Sequence, residues 1–94
     1  MNVPAILEAL EDCPGLIAWK LTDGKGSYCV LGWLMFKAGK PLGVIERLDR
    51  FDVTPTDDAC HSLVTFNNRY YRSRKARLEA VRGYVAAQGE GRYL

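Results

Sequence analysis

Ninety-four residues with ordinary apolar and charged fractions bound this chain to one small globular domain, 1–94, with no room for a separate cofactor domain. Its longest apolar run is far short of the ~20 residues a membrane helix needs, so no membrane partner is expected. Net charge is only +2, yet residues 1–66 carry six Lys/Arg against nine Asp/Glu, and residues 67–94 carry seven against two.

The N-terminus shows no basic segment followed by an apolar core, and Cys13, Cys29 and Cys60 cannot all pair with one another. Both features predict a cytoplasmic protein with free thiols. Asn2 can cap a first helix over residues 3–12, with Pro4 in its first turn and Val3, Ile6, Leu7 and Leu10 on one face. Pro14-Gly15 stops it. Ile17, Trp19 and Leu21 alternate with Ala18 and Lys20, which reads as a strand. Asp23-Gly24-Lys25-Gly26 reads as its turn, with Ser27–Cys29 pairing back. Trp19 and Trp33 are both expected in the core.

Tyr28–Gly39 is the most apolar stretch. From Val30 to Phe36 only Gly32 is not apolar, as in a buried helix, and Gly32 marks a close backbone approach. Gly39 is its C-cap and Pro41 blocks continuation. Leu42–Arg50 carries Val44, Ile45 and Leu48 on one face, which predicts a short helix completed by Phe51. Thr54-Pro55-Thr56-Asp57-Asp58 is a helix start with a Ser/Thr cap and two acids in the first turn. Asn67-Asn68 ends that helix or makes a turn. The last helix covers Lys75–Ala87 and begins at either Ser73 or Asn68; a flexible tail is expected from about Gly89. The fold class is mainly α (α+β): about five short helices around a central apolar helix (about 30–38), with a small antiparallel hairpin (about 16–29).

Trp19, the Asp23-Gly24 turn, Cys29-Val30-Leu31-Gly32-x-Leu34, Ala38-Gly39 and Asn67-Asn68 before a final helix make a pattern. It resembles a group of small uncharacterised bacterial and phage proteins with a Trp, a Gly-containing turn, a Cys-x-Leu-Gly-x-Leu segment and a late Asn-Asp. Asn68 stands here where that group tends to have Asp. The resemblance carries no known activity.

No metal site is expected: the cysteines are far apart, and Cys60 and His61 point about 100° apart on a helix. Nor is a cofactor, because Gly24-x-Gly26 lacks the third glycine and the strand-to-helix setting of a phosphate loop. Cys29 with His61 is the one pairing open to a thiol enzyme. Asp57-Asp58 is explained by capping.

The basic stretch Asn67–Arg77 holds five cations, two tyrosines and no acid. A helix starting at Ser73 would set Arg74 and Lys75 in its first turn, where positive charge opposes the dipole by about 0.3–1 kcal/mol each. An external anion, or the chain's own acidic part, could offset that. The candidate binding residues are Arg69, Tyr70, Tyr71, Arg72, Arg74, Lys75 and Arg77. The leading expectation is a non-enzymatic protein-binding module, a phage or bacterial accessory or inhibitor protein docking on an acidic surface. The alternative is nucleic-acid binding through the same stretch. The third is a small thiol enzyme.

Overall fold

A computed structural model describes residues 1–43 and 46–90. Helix α1 spans Val3–Leu10, and Asn2 Oδ1 accepts the Ala5 N–H at 3.1 Å, with Pro4 in the first turn. It ends at Leu10, two residues short of the predicted end.

The predicted hairpin does not form. Residues 11–29 are a loop with isolated bridges, Leu16 with Tyr28 in parallel sense and Thr22 with Tyr28 in antiparallel sense. Two features prevent a ladder. Trp19 sits at φ +71°, a left-handed turn that ends the alternation of Ile17 and Leu21. Asp23 Oδ1 accepts the N–H groups of Lys25 (2.8 Å) and Ser27 (3.1 Å), which closes the turn with a side chain rather than with strand pairing. Trp19 itself is 80% exposed and belongs to no core, unlike Trp33, which is buried and donates from Nε1 to Ala9 O at 2.7 Å.

Helix α2, Val30–Lys37, is the predicted apolar helix. Cys29 caps it, its Sγ accepting the Gly32 N–H at 3.5 Å. Gly32 faces the Leu21 backbone so closely that a Cβ would lie 2.0 Å from Leu21 O. At the far end Gly39 is left-handed and Lys40 N–H closes onto Met35 O at 3.0 Å. One edge of α2 stays open: Phe36 is exposed and stacks on Tyr28, ring centroids 5.2 Å apart.

No helix runs through residues 46–48. Val44 and Ile45, on which the predicted helix partly rested, lie outside the described residues. What forms is a single 3-10 turn, Asp49–Phe51, closed by Asp52 in the left-handed region and by a Leu48–Val53 bridge. Arg47 holds it by bonding Asp49, Asp52 and Thr54. Leu48, Phe51 and Val53 enter the core from this turn.

Helix α3 spans Asp58–Asn67. Its cap is Asp57, whose Oδ1 accepts the Cys60 N–H at 2.8 Å, rather than a threonine. Helix α4 spans Arg74–Glu90. Ser73 Oγ accepts the Ala76 N–H at 3.0 Å, which decides for the later of the two predicted starts. The helix continues past Ala87 through Gly89, which backs onto Val3. The rest of the expected tail, 91–94, lies outside the described residues.

Among the described residues there are thus four α-helices and one 3-10 turn, with no strand. α4 lies against α1 and α3, and α2 lies against α3 and α1. The core is therefore shared: Ile6 and Leu10 from α1, Val30, Trp33 and Leu34 from α2, Leu63 from α3, and Leu78, Val81 and Val85 from α4. No described helix is long and apolar enough to cross a membrane.

Candidate functional site

The two asparagines that end α3 organise the surface next to them. Asn67 is fully buried. Its Oδ1 accepts the Val30 N–H at 3.1 Å, and its Nδ2 donates to Ile17 O at 2.9 Å and to Asn68 Oδ1 at 3.2 Å. One side chain thereby joins the C-terminus of α3 to the start of α2 and to the loop before it. Asn68 Oδ1 also accepts the Trp19 N–H at 2.8 Å. That bond holds Trp19 in its left-handed turn, a conformation costing a non-glycine residue about 1–2 kcal/mol. Trp19 and Asn68 line a hollow of about 160 Å³ together with Lys20, Leu21, Cys29, Leu31 and Val64.

The basic stretch divides into residues bound internally and residues that face out. Arg77 is bound internally: Nη1 donates to Asn67 O and, at 2.6 Å, to Arg69 O, and its guanidinium lies 5.1 Å from the Tyr71 ring centre. A cation on the last carbonyl of α3, that of Asn67, is favoured by the dipole, so Arg77 acts as the cap of that helix. Arg74 reaches back to the acidic part of the chain. It donates to Ser27 Oγ at 2.7 Å and lies 3.9 Å from Asp23 Oδ2, and its main-chain carbonyl accepts the Leu16 N–H. The Lys25 and Ser27 amides, assisted by Arg74, hold the Asp23 carboxyl below its usual range. Tyr71 is half-buried, 6.2 Å from Phe66. Arg69, Tyr70, Arg72 and Lys75 are exposed, Tyr70 at 87%. Among the described residues none of the three cations has an ion-pair partner, although Arg69 lies over the Phe66 ring at 4.8 Å.

This division separates two neighbouring charges by experiment. Arg74→Glu should lower the melting temperature slightly, because it sets a carboxylate beside Asp23 and loses the bond to Ser27. Lys75→Glu should leave it unchanged or raise it, since a negative charge in the first turn of α4 gains about 0.3–1 kcal/mol. Thermal melts at low salt check both; equal shifts would mean that Arg74 is not held internally.

The thiols are buried. Burial pushes the Cys13 and Cys29 thiols above their ordinary range, and burial, with Asp57 and Cys29 nearby, pushes Cys60 up to about 11. Such groups carry little thiolate at neutral pH. His61 is exposed and lines a second hollow, between α3 and α4, with Arg69 and Tyr84. Among the described residues no three His, Cys, Asp or Glu side chains converge to hold a metal ion.

Trp19 is the residue that reading the sequence misplaced. Its exposure follows from a bond to Asn68, 49 positions away, and no local pattern signals it.

No protein family, curated protein or solved structure matches this chain. The likeness to the small bacterial and phage group rests on its short motifs alone. Two of those motifs have a physical account here: Gly32 admits the Leu21 backbone, and Asn67-Asn68 clamps the loop that carries Trp19.

Proposed function

We propose that the chain is a non-enzymatic protein-binding module, a phage or bacterial accessory or inhibitor protein of the cytoplasm. It docks on an acidic protein surface through the outward part of the basic stretch together with Trp19. The observation that carries this reading is the presentation of Trp19. A large apolar side chain gains about 1.5–3 kcal/mol by burial, and this one is held out of the core on a strained backbone by a dedicated side-chain bond. Tyr70 follows Asn68 by two residues, so the two most exposed large rings among the described residues rise from neighbouring backbone. Arg72 and Lys75 are exposed on the same stretch. Trp, Tyr and Arg are the residue types that dominate binding energy at protein interfaces, and cations without partners match a partner rich in carboxylates.

Nucleic acid is the less favoured partner, because Arg74 and Arg77 have internal partners. Arg69, Arg72 and Lys75 alone would release few counterions, with a log–log salt slope of about −3 at most on duplex DNA.

Affinity capture from an extract of the native host tests the proposal, with the wild type beside Trp19→Asn and the double variant Arg72→Glu/Lys75→Glu. Asparagine tolerates the left-handed backbone, so the first variant removes the ring and keeps the turn. A protein held by the wild type should be lost from both variants, each weakened about tenfold or more, with melting temperatures unchanged. Capture retained by both variants, or nucleic acid as the bound species, overturns the reading.

A further inference from the structure

We propose that the hollow between α3 and α4 is a binding site for a small organic oxyanion, a phosphate monoester or carboxylate carried on a flat ring. This hollow, about 360 Å³ in volume, is lined by His61, Ser62, Thr65, Phe66, Arg69 and Tyr84. Its size is that of a small-molecule site.

Three observations carry the assignment. The first is the sign of the lining: it holds a guanidinium, an imidazole and three hydroxyls and, among the described residues, no carboxylate. Asp58 lies one turn earlier on α3, outside the lining. The second is that these groups are free. Among the described residues, none of the side chains of His61, Ser62, Thr65, Arg69 and Tyr84 has a hydrogen-bond partner, in contrast to Arg74 and Arg77 on the same stretch. The third is the aromatic pair in the lining. Phe66 and Tyr84 stack with centroids 4.5 Å apart and planes 25° from parallel, and the Arg69 guanidinium lies 4.8 Å from the Phe66 ring centre. An ordinary solvated helix face also leaves hydroxyls in water. It does not set a stacked aromatic pair against a cation.

The arrangement defines its ligand. A guanidinium presents a planar fork of donors that matches the two oxygens of a carboxylate or phosphate. Ser62 and Thr65 can donate to further oxygens from α3. A flat ring attached to the anion would extend the Phe66–Tyr84 stack, which favours offset aromatic contact. Among the described residues no acid lines the hollow, so an anion entering it replaces no ion pair described there.

The test is a nuclear magnetic resonance titration of the full chain with phenyl phosphate, benzoate and inorganic phosphate. Phenyl phosphate, benzoate or both should shift the signals of His61, Thr65 and Arg69 Nε–H to saturation. Which of the two binds tighter tells phosphate monoester from carboxylate. Either should bind several-fold tighter than inorganic phosphate, because the ring contact is absent from the free ion. Arg69→Gln should weaken binding about tenfold or more while leaving the melting temperature unchanged. Phe66→Leu, which keeps the position apolar, should remove the advantage of the ring-bearing probes. Shifts that do not saturate, equal affinity for inorganic phosphate, or undiminished binding by Arg69→Gln overturn the site. The docking variants at Trp19, Arg72 and Lys75 lie outside this lining, so failure of one proposal does not decide the other.

Discussion

Gly32→Ala should destabilise the domain by about 3 kcal/mol or more, while Gly83→Ala should stabilise it by about 0.5–1 kcal/mol. Both glycines lie inside helices, where alanine is intrinsically better, so propensity alone predicts a gain at each. The surroundings decide otherwise at residue 32. A Cβ there would lie 2.0 Å from Leu21 O and 2.8 Å from Leu21 C, and these are backbone atoms that no rotamer change can move. Leu21 O also accepts the Cys29 N–H at 3.2 Å, so pushing it away breaks the bond just ahead of α2. The steric cost exceeds the helix gain several-fold. At Gly83 nothing lies within 4 Å of an added Cβ. For a domain of this size each kcal/mol moves Tm by about 4–8 °C, so the two variants should part by well over 10 °C on either side of the wild type. Thermal melts followed by circular dichroism check the pair. A Gly32→Ala protein that melts with the wild type would mean that α2 does not lie on Leu21.

The same pair shows what was legible in the sequence. Helix ends were, because each depends on one or two adjacent residues: Asn2, Ser73 and Gly39 cap as their types predict, and Asp57 takes the place expected of a threonine. That Gly32 marks a close approach was also legible, since a helix interior has little other use for glycine. The identity of the approaching chain was not, because Leu21 reaches it only through the fold. The loop over residues 16–29 failed for a related reason. Ile17, Trp19 and Leu21 alternate as a strand does, but a side chain 49 residues away turns the backbone at Trp19. The basic stretch was legible as charge alone. Its division into Arg74 and Arg77, which bond the chain itself, and Arg69, Arg72 and Lys75, which do not, depends on where Asp23, Ser27 and the end of α3 come to lie.

Asn67→Asp and Asn68→Asp, adjacent and chemically identical changes, should differ sharply. Asn67 needs both halves of its amide: Oδ1 accepts from Val30 N–H, and Nδ2 donates to Ile17 O and to Asn68 Oδ1. A carboxylate keeps the first bond and loses the other two. It also faces the Ile17 carbonyl with a negative charge in a fully buried position at the C-terminus of α3. Arg77, bonded to the main-chain carbonyl of residue 67, offsets part of that charge. The net cost at pH 7 should be about 2–4 kcal/mol. Protonation restores a donor toward Ile17 O, so the introduced carboxyl has a folded-state pKa raised above the unfolded value of about 3.9. The sign follows from that shift. Measured against the wild type, the penalty is smallest below about pH 4 and grows as pH rises to the folded pKa. Asn68 uses only its oxygen, which accepts the N–H groups of Trp19 and Asn67. A carboxylate accepts both, more strongly, against a dipole cost of up to about 1 kcal/mol at the end of α3. Asn68→Asp should therefore stay within about 1 kcal/mol of the wild type and keep Trp19 in place. Denaturant titrations of the three proteins at pH 4.5 and pH 7, with the fluorescence of Trp19 and Trp33 as a second probe, decide it. Equal losses at the two positions, or a loss at residue 67 that does not depend on pH, would mean that the asparagine pair is not the clamp holding this surface together.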